Sequence, residues 1–216
     1  MHTVKQIITL IMSLVLIITY AHAEDTAEVR LSSSSLAGWE SKTVKDATTY
    51  TIVQENGKAV IQAHSKAAAS GLIKKVNLDP NRFRYLHWSW KIAQTIEKGY
   101  EKTKPGDDFA ARVYVVFPGR FFWQTRAINY IWANHLPKGE AFTSPFTSNA
   151  MMVAVETGPE KTGQWLSETR DVLADYRRLF GEDPREIGAI AIMTDTDNTA
   201  GEATAWYADI SISTAR

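Results

Sequence analysis

Residues 188–212 read GAIAIMTDTDNTAGEATAWYADISI. Apolar residues alternate with small or polar ones on both sides of an acidic, glycine-containing stretch. This period of two is the pattern of a β-strand, because successive side chains point to opposite faces of a sheet. We therefore predict two buried strands joined by a loop around residues 195–198, and we place this pair at the centre of the fold.

Most other segments alternate in the same way. Asn56-Gly57 lies between two such runs and predicts a tight hairpin, because both residues tolerate the positive φ of a two-residue turn. In residues 84–92 the alternation puts Trp88 and Trp90 on the core side, and His87 and Lys91 on the other. The further predicted strands are 36–39, 48–54, 58–64, 70–78, 109–117, 127–134, 149–157 and 165–170.

One segment, residues 171–180, has a helical period. Its apolar positions share one side of a helix, with Asp171 placed to cap its start and Gly181 its end. These positions are Val172, Leu173, Tyr176, Leu179 and Phe180. The predicted fold is all-β: a jelly-roll-like antiparallel β-sandwich with one amphipathic accessory helix at about 171–180.

The first 23 residues have the anatomy of a secretory signal peptide. Lys5 gives a positive start, residues 7–20 form an apolar run, and Ala21-His22-Ala23 is a small-residue cleavage site. The run is shorter than the roughly 20 residues that a membrane span needs. We predict a signal peptide at 1–23, a polar linker at 24–35 and a single domain at 36–216. We expect a periplasmic or secreted protein without stable membrane insertion after cleavage.

The composition limits the chemistry. The chain has 24 basic and 24 acidic residues and no cysteine, so it has no thiolate nucleophile, thiolate metal site or disulfide. A balanced charge gives no electrostatic reason to expect nucleic acid as a partner. The sequence also lacks the Gly-x-Ser-x-Gly, His-Glu-x-x-His, Gly-x-Gly-x-x-Gly and EF-hand patterns. No catalytic class follows, and whether the protein is an enzyme stays open.

The acidic loop is a candidate metal site. Asp195, Asp197 and Asn198 follow one strand closely, and Asp209 lies on the next. Such oxygen donors suit Ca²⁺, although this set falls short of the about six to eight oxygens that Ca²⁺ takes. The alternative is that these residues are ordinary turn formers that bond their own backbone. No other cofactor is expected.

Charged residues on several predicted strands suggest a binding face. If the strands pair in one sheet, their polar sides converge, and buried charges there must pair or meet a polar ligand. Lys91, Arg112 and Arg170 are the candidate donors, and Glu168 and Asp195 the candidate acceptors. The alternative is a network of structural ion pairs, from Arg112 to Glu168 and from Arg170 to Asp175 or Asp209.

Aromatic residues supply a further hypothesis, since sugar rings stack on flat aromatic surfaces. Tyr130 and Trp132, with Trp123 nearby, are the candidates for stacking, whereas Trp88 and Trp90 fit the core pattern. We therefore expect a module that binds a carbohydrate or another polyhydroxylated ligand. The alternatives are a glycan-cleaving enzyme that uses Glu168 and Asp195 as its carboxylate pair, and a structural envelope protein without a ligand.

Several segments together resemble the bacterial domain-of-unknown-function 3047 family. They are WSWKI at 88–92, GDDFAARVYVVF at 106–117, NYIWA at 129–133, ETRDVLADYRRLFGEDP at 168–184, IAIMTDTDNT at 190–199 and AWYADISI at 205–212. The resemblance implies an exported, β-rich, single-domain protein, and it implies no activity and no catalytic residue. The last strand also resembles that of jelly-roll carbohydrate-binding modules, which is an analogy of fold only.

Overall fold

The structure is a computed structural model that describes residues 26–32 and 34–216. The predicted signal peptide lies outside these residues. In chain order the elements are β1 (Glu28–Arg30), β2 (Glu40–Lys45), β3 (Thr49–Glu55), β4 (Lys58–Lys66), β5 (Ala69–Leu78), β6 (Tyr85–Ile92), β7 (Arg112–Phe117), β8 (Arg126–Ala133), β9 (Ala141–Thr143), β10 (Ala150–Thr157), β11 (Leu166–Asp171), α1 (Val172–Phe180), β12 (Ile187–Asp195) and β13 (Glu202–Ser213). Short 3-10 turns lie at Lys104–Gly106 and Phe122–Gln124.

The strands form two sheets with the main core between them. Sheet A has the order β11-β6-β13-β4-β3, with β1 alongside β13, and sheet B has the order β2-β5-β12-β7-β8-β10-β9. This confirms the predicted jelly-roll-like β-sandwich with one accessory helix. Neighbouring strands are antiparallel except β8 and β10, which are parallel because β9 lies between them in sequence and reverses the chain once more.

The central pair of predicted strands forms, but its members do not pair with each other. β12 lies in sheet B between β5 and β7, and β13 lies in sheet A between β6 and β4. Both edges of each strand are therefore occupied by other partners. The acidic loop between them crosses from one sheet to the other and is not the turn of a hairpin.

The amino-terminal part differs from the expectation in two places. β1 lies inside the segment predicted as a polar linker and pairs with β13. The strand expected at 36–39 is a turn, in which Trp39 N donates to Leu36 O and Gly38 takes a φ of 76°. The strand begins only after this turn, at Glu40, and is β2.

The core contains a run of aromatic rings that spans both sheets. Trp88 and Trp90 of β6 meet edge to face, with ring centroids 5.4 Å apart. Across the sandwich, Trp88 stacks on Tyr130 of β8 at 5.4 Å, and Trp90 packs against Trp132 at 5.7 Å. All four side chains are buried. The alternation in β6 thus fixes the inner side of sheet A, as predicted.

Helix α1 has the predicted caps. Asp171 accepts a hydrogen bond from Ala174 N at 3.0 Å and pairs with Arg84, and Gly181 ends the helix with a φ of 73°. Partial burial raises the pKa of Asp171, but the hydrogen bonds from Arg84 and Ala174 outweigh it and lower the pKa overall. The ionised carboxylate therefore stabilises the helix start.

We expect Asp171→Ala to lower the free energy of unfolding by about 1–2 kcal/mol, the usual cost of losing an N-cap. Asp171→Asn keeps a capping oxygen without the charge and should cost less. Because the pKa of Asp171 is lowered, its charge stabilises above the ordinary value of 3.8 and is lost as the pH falls through the lowered pKa. Urea unfolding from about pH 7 to about pH 3 measures this. A constant difference between wild type and Asp171→Asn over that range would contradict it.

Candidate functional site

The charged residues predicted to share one face are divided between the two sheets. Lys91 lies on β6 and Glu168 and Arg170 lie on β11, all in sheet A, whereas Arg112 on β7 and Asp195 on β12 lie in sheet B. The common polar surface therefore does not form. The alternation shows which residues share a side of one strand, but not which sheet the strand joins.

Arg112 and Asp195 form a buried ion pair. Arg112 is 4% exposed and Asp195 is 2% exposed. Arg112 Nε donates to Asp195 Oδ1 at 2.7 Å, and its Nη1 donates to Asp107 Oδ2 at 3.3 Å. This corrects the expected pairing of Arg112 with Glu168. The guanidinium therefore pairs with these two carboxylates and is buried, so it is not exposed to a ligand.

Glu168 and Arg170 point to the inner side of β11, at the edge of the sandwich, as does Leu166 of the same strand. Arg170 makes a two-bond ion pair with Asp175 of α1, at 2.9 and 2.6 Å. This confirms one pairing of the structural alternative. Tyr130 Oη donates to the same carboxylate at 2.9 Å.

Tyr130 and Trp132 are fully buried, which contradicts their selection as stacking surfaces. Trp132 Nε1 donates to Gly158 O at 3.0 Å, so its polar atom is also satisfied inside the fold. Both rings follow the inward side of β8, the same side as Ile128, and belong to the core between the sheets. No face of either ring is open to a sugar.

The proposed carboxylate pair of Glu168 and Asp195 does not form. Burial raises the pKa of Glu168, Lys138 opposes this, and Glu156 raises it further. Asp195 lies in the other sheet with both carboxylate oxygens bonded to Arg112. The glycan-cleaving alternative therefore loses the pair on which it was based.

An open groove does cross the outer face of sheet A, and we call it the outer groove. It consists of a cavity of about 290 Å³ and a neighbouring one of about 630 Å³, which share Asp209 in their walls. The side chains that matter for its chemistry are Glu55, Lys58, His87, Ser89, Trp165 and Asp209.

The floor of the outer groove is a hydrogen-bonded set of small polar side chains. Ser89 Oγ on β6 lies 2.9 Å from Ser167 Oγ on β11. His87 Nδ1 lies 3.0 Å from Thr169 Oγ1, and its Nε2 lies 2.9 Å from Ser213 Oγ. A hydroxyl has one donor and two acceptor positions, so this floor retains bonding capacity toward a ligand.

Trp165 forms one wall of the outer groove and is held by a charged neighbour. Lys91 Nζ lies 5.4 Å from the centre of the Trp165 ring and 4.2 Å from that of Trp206. Lys91 also pairs with Glu55, whose second oxygen accepts from Trp165 Nε1 at 3.1 Å. At 9% exposure, Lys91 orders the tryptophan from behind instead of reaching a ligand itself.

Asp209 belongs to this groove and not to the acidic loop, which corrects its inclusion in the metal site. A register shift in β13 between Ala208 and Ser211 gives Asp209 a φ of 53°. Its carboxylate pairs there with Lys58 at 2.5 Å.

At the acidic loop the structure brings in a residue that the sequence did not indicate. Oxygens of Asp108, Asp195 and Asp197 lie within 4.8 Å of one another. Asn198 turns its amide nitrogen toward Asp108, at 3.1 Å, and so acts as a donor to the cluster. Asp108 lies in the loop before β7, and the acidic pair in Gly106-Asp107-Asp108 was the signal for it.

The two-layer sandwich is similar in fold to a carbohydrate-binding module. The family 30 carbohydrate-binding module of a cellulosomal cellulase of Clostridium thermocellum is 13% identical at a TM-score of 0.50, over 86% of this chain and 96% of that one. A family 29 carbohydrate-binding module is 11% identical at a TM-score of 0.41, over 88% and 89%.

The chain belongs to the family described as protein of unknown function DUF3047, whose model matches residues 37–211. A comparison with curated proteins finds no match. Among the residues that the structure describes, no helix has the length and apolar character needed to cross a bilayer.

Proposed function

We propose that the protein is an exported carbohydrate-binding module and that the outer groove holds the ligand. The observation that carries this proposal is the groove itself, in which a half-buried tryptophan borders a floor of hydroxyls and a histidine. A sugar presents apolar C–H faces and many hydroxyls. Trp165 offers a surface for the first, and Ser89 and His87 offer partners for the second.

The groove supports binding over cleavage. Its acidic side chains are each paired with a cation: Glu55 with Lys91, Asp209 with Lys58 and Glu28 with Arg30. Charge-paired carboxylates are good hydrogen-bond acceptors for sugar hydroxyls. A glycosidase places two carboxyl groups on either side of the scissile bond, one of them as a proton donor, whereas each acid of this groove is held by its own cation.

Export rests on the signal-peptide pattern at 1–23. A periplasmic or extracellular location would place the groove among envelope or environmental glycans. Family 30 modules, whose fold this chain shares, are described as carbohydrate-binding. The ligand class of the proposal, a carbohydrate chain lying along sheet A, is consistent with that description.

The proposal is tested with residues 24–216 on a panel of soluble polysaccharides, by affinity electrophoresis and calorimetry. We expect Trp165→Ala to weaken binding at least about tenfold, because aromatic anchors commonly contribute more than about 1–2 kcal/mol. Trp123→Ala is the matched control, since Trp123 is 57% exposed and lines a separate cavity. Its binding should equal that of wild type.

Three results would overturn the proposal. Loss of binding in Trp123→Ala with retention in Trp165→Ala would place the ligand at the other cavity. Release of sugar products would support the enzyme, and no binding across the panel would support the structural envelope protein.

A further inference from the structure

The connection between β7 and β8 exposes three consecutive aromatic side chains, Phe121, Phe122 and Trp123, and we call it the aromatic turn. Their exposed fractions are 47%, 84% and 57%. Among the described residues six large hydrophobic side chains are exposed, so half of them lie in this one turn. Single exposed apolar residues are ordinary, whereas a contiguous group of them marks a surface that contacts a partner.

The three rings form one patch. Phe121 and Trp123 are stacked, with ring centroids 4.8 Å apart and ring planes within 5° of parallel. Phe122 meets Trp123 edge to face, with ring centroids 5.1 Å apart. The rings pack on one another while each remains exposed to solvent, so together they present a single apolar surface.

Hydrogen bonds hold the aromatic turn in its shape. Gln124 N donates to Phe121 O at 2.9 Å, and the Gln124 side-chain oxygen accepts from Phe121 N at 3.3 Å. Asn149 Nδ2, from the segment before β10, donates to Trp123 O at 2.7 Å. Gly119 packs closely on the turn, since a Cβ there would lie 2.4 Å from Gln124 Cβ. A turn that is already ordered loses little conformational entropy when it binds a partner.

Two arginines lie in the walls of a cavity beside the aromatic turn. This cavity has a volume of about 470 Å³, and Trp123 lines it together with Arg120 and Arg185. Both arginines are exposed, and neither has an ion-pair partner in residues 26–32 and 34–216. Guanidinium groups suit phosphate oxygens, to which they donate two parallel hydrogen bonds.

The acidic side chains of the same cavity are already paired. Glu182 pairs with Arg126 at 2.8 Å, and Asp183 pairs with Arg177 at 2.5 Å. These acids are therefore not available to the two remaining arginines, and the cavity carries an excess of positive charge. An apolar patch thus lies directly beside a positively charged one.

We propose that the aromatic turn and the neighbouring cavity dock the protein on the surface of a bilayer that contains anionic phospholipid. The rings would occupy the boundary between headgroups and acyl chains, where tryptophan is enriched. Arg120 and Arg185 would pair with lipid phosphates. A soluble anion would engage the arginines but give the apolar rings no role. A second copy of the chain, joined through the same patch, would bring like charges together.

Docking of this kind is peripheral, because the turn reaches only the interfacial layer of the bilayer. The cavity beside the aromatic turn shares no lining residue with the outer groove. Lipid and a ligand in the outer groove would therefore occupy different residues. The inference does not depend on the carbohydrate-binding proposal, and the two are tested by different variants.

The test is flotation of residues 24–216 with vesicles of phosphatidylcholine, prepared with and without phosphatidylglycerol. We expect stronger binding to the anionic vesicles, and weaker binding to them as salt is added. Phe122→Ser should weaken this binding at least about tenfold, because it removes a large apolar side chain from the contact. Tyr100→Ala is the matched control, since Tyr100 is 62% exposed and lies outside the cavity. It should bind as wild type does.

A charge variant tests the role of the cavity. Arg120→Gln should weaken binding to the anionic vesicles about fivefold, the usual contribution of one basic residue near an anionic surface. It should leave binding to phosphatidylcholine alone unchanged. Arg82→Gln is the matched control, because Arg82 is also exposed and lies 5.6 Å from the ring of Phe83, as Arg120 lies 5.8 Å from that of Phe121.

Three results would overturn the proposal. The first is no flotation with the anionic vesicles. The second is an equal loss of flotation in the two control variants, which would show that no particular surface is used. The third is a dimer that forms without lipid in sedimentation velocity and is abolished by Phe122→Ser, which would assign the patch to a second copy of the chain.

Discussion

Arg112→Met is expected to destabilise the protein by about 3–5 kcal/mol, the cost of removing one partner from a buried ion pair. The substitution keeps the apolar stem but leaves Asp195 and Asp107 without their cation. Arg112 is 4% exposed and the Asp195 carboxylate is bonded at two points, so water cannot easily replace the guanidinium. Urea unfolding of the wild type and the variant measures the loss.

A double-mutant cycle separates the pair from general damage. Asp195→Asn removes the charge that Arg112 neutralises, so Arg112→Met with Asp195→Asn should cost less than the sum of the single substitutions. Arg185→Met, on an exposed arginine, is the control and should change stability by less than about 0.5 kcal/mol. Additive effects of Arg112→Met and Asp195→Asn would show that Arg112 and Asp195 are not energetically coupled.

Trp132→Ala is expected to cost about 3–5 kcal/mol, as for other large-to-small changes in a packed core. The substitution removes the contact with Trp90 and the hydrogen bond to Gly158, and it leaves a void between the sheets. Trp123→Ala removes the same side chain from an exposed loop and should change stability by less than about 0.5 kcal/mol.

Chemical unfolding of the two tryptophan variants decides between core packing and ligand stacking for Trp132. If Trp132→Ala kept the stability of the wild type and instead lost binding to polysaccharide, the stacking role first predicted for this residue would be right and its assignment to the core wrong.

The local features of the fold were predictable because they depend on neighbours in sequence. The alternation in β6 identifies Trp88 and Trp90 as inward residues, and both are buried. Asp171 and Gly181 bracket α1 as their capping chemistry requires. Asn56-Gly57 forms the turn between β3 and β4, with both residues at positive φ.

The site was harder to predict because it depends on which sheet each strand joins. Arg112 and Asp195 were expected on the same surface as Lys91, but their strands belong to the other layer. Tyr130 shares its strand side with Trp132, which by itself favours a core position. The position of Tyr130 near a loop in the sequence does not show whether its side chain is exposed.

The outer groove was missed although part of its signal was present. The alternation that turns Trp88 and Trp90 inward also turns His87, Ser89 and Lys91 outward. Ser167 on β11 and Ser211 on β13 lie beside these residues on the same outer face, but this can be seen only from the register of the three strands. Trp165 becomes a wall of the groove through its bond to Glu55, 110 residues away in the chain.

The chain crosses from sheet B to sheet A after β12, and this crossing also limits the order in which the strands can pair during folding. Short connections join β3 to β4 and β7 to β8, so these pairs can form early. The partner of β1 is β13 and a partner of β5 is β12, so these pairs form only when distant segments meet. Pairings between distant segments require large loops to close first, and sheets dominated by them assemble on the millisecond-to-second scale. Because β12 and β13 are interior strands and come last in the sequence, neither sheet can be complete until the carboxy-terminal part of the chain has paired.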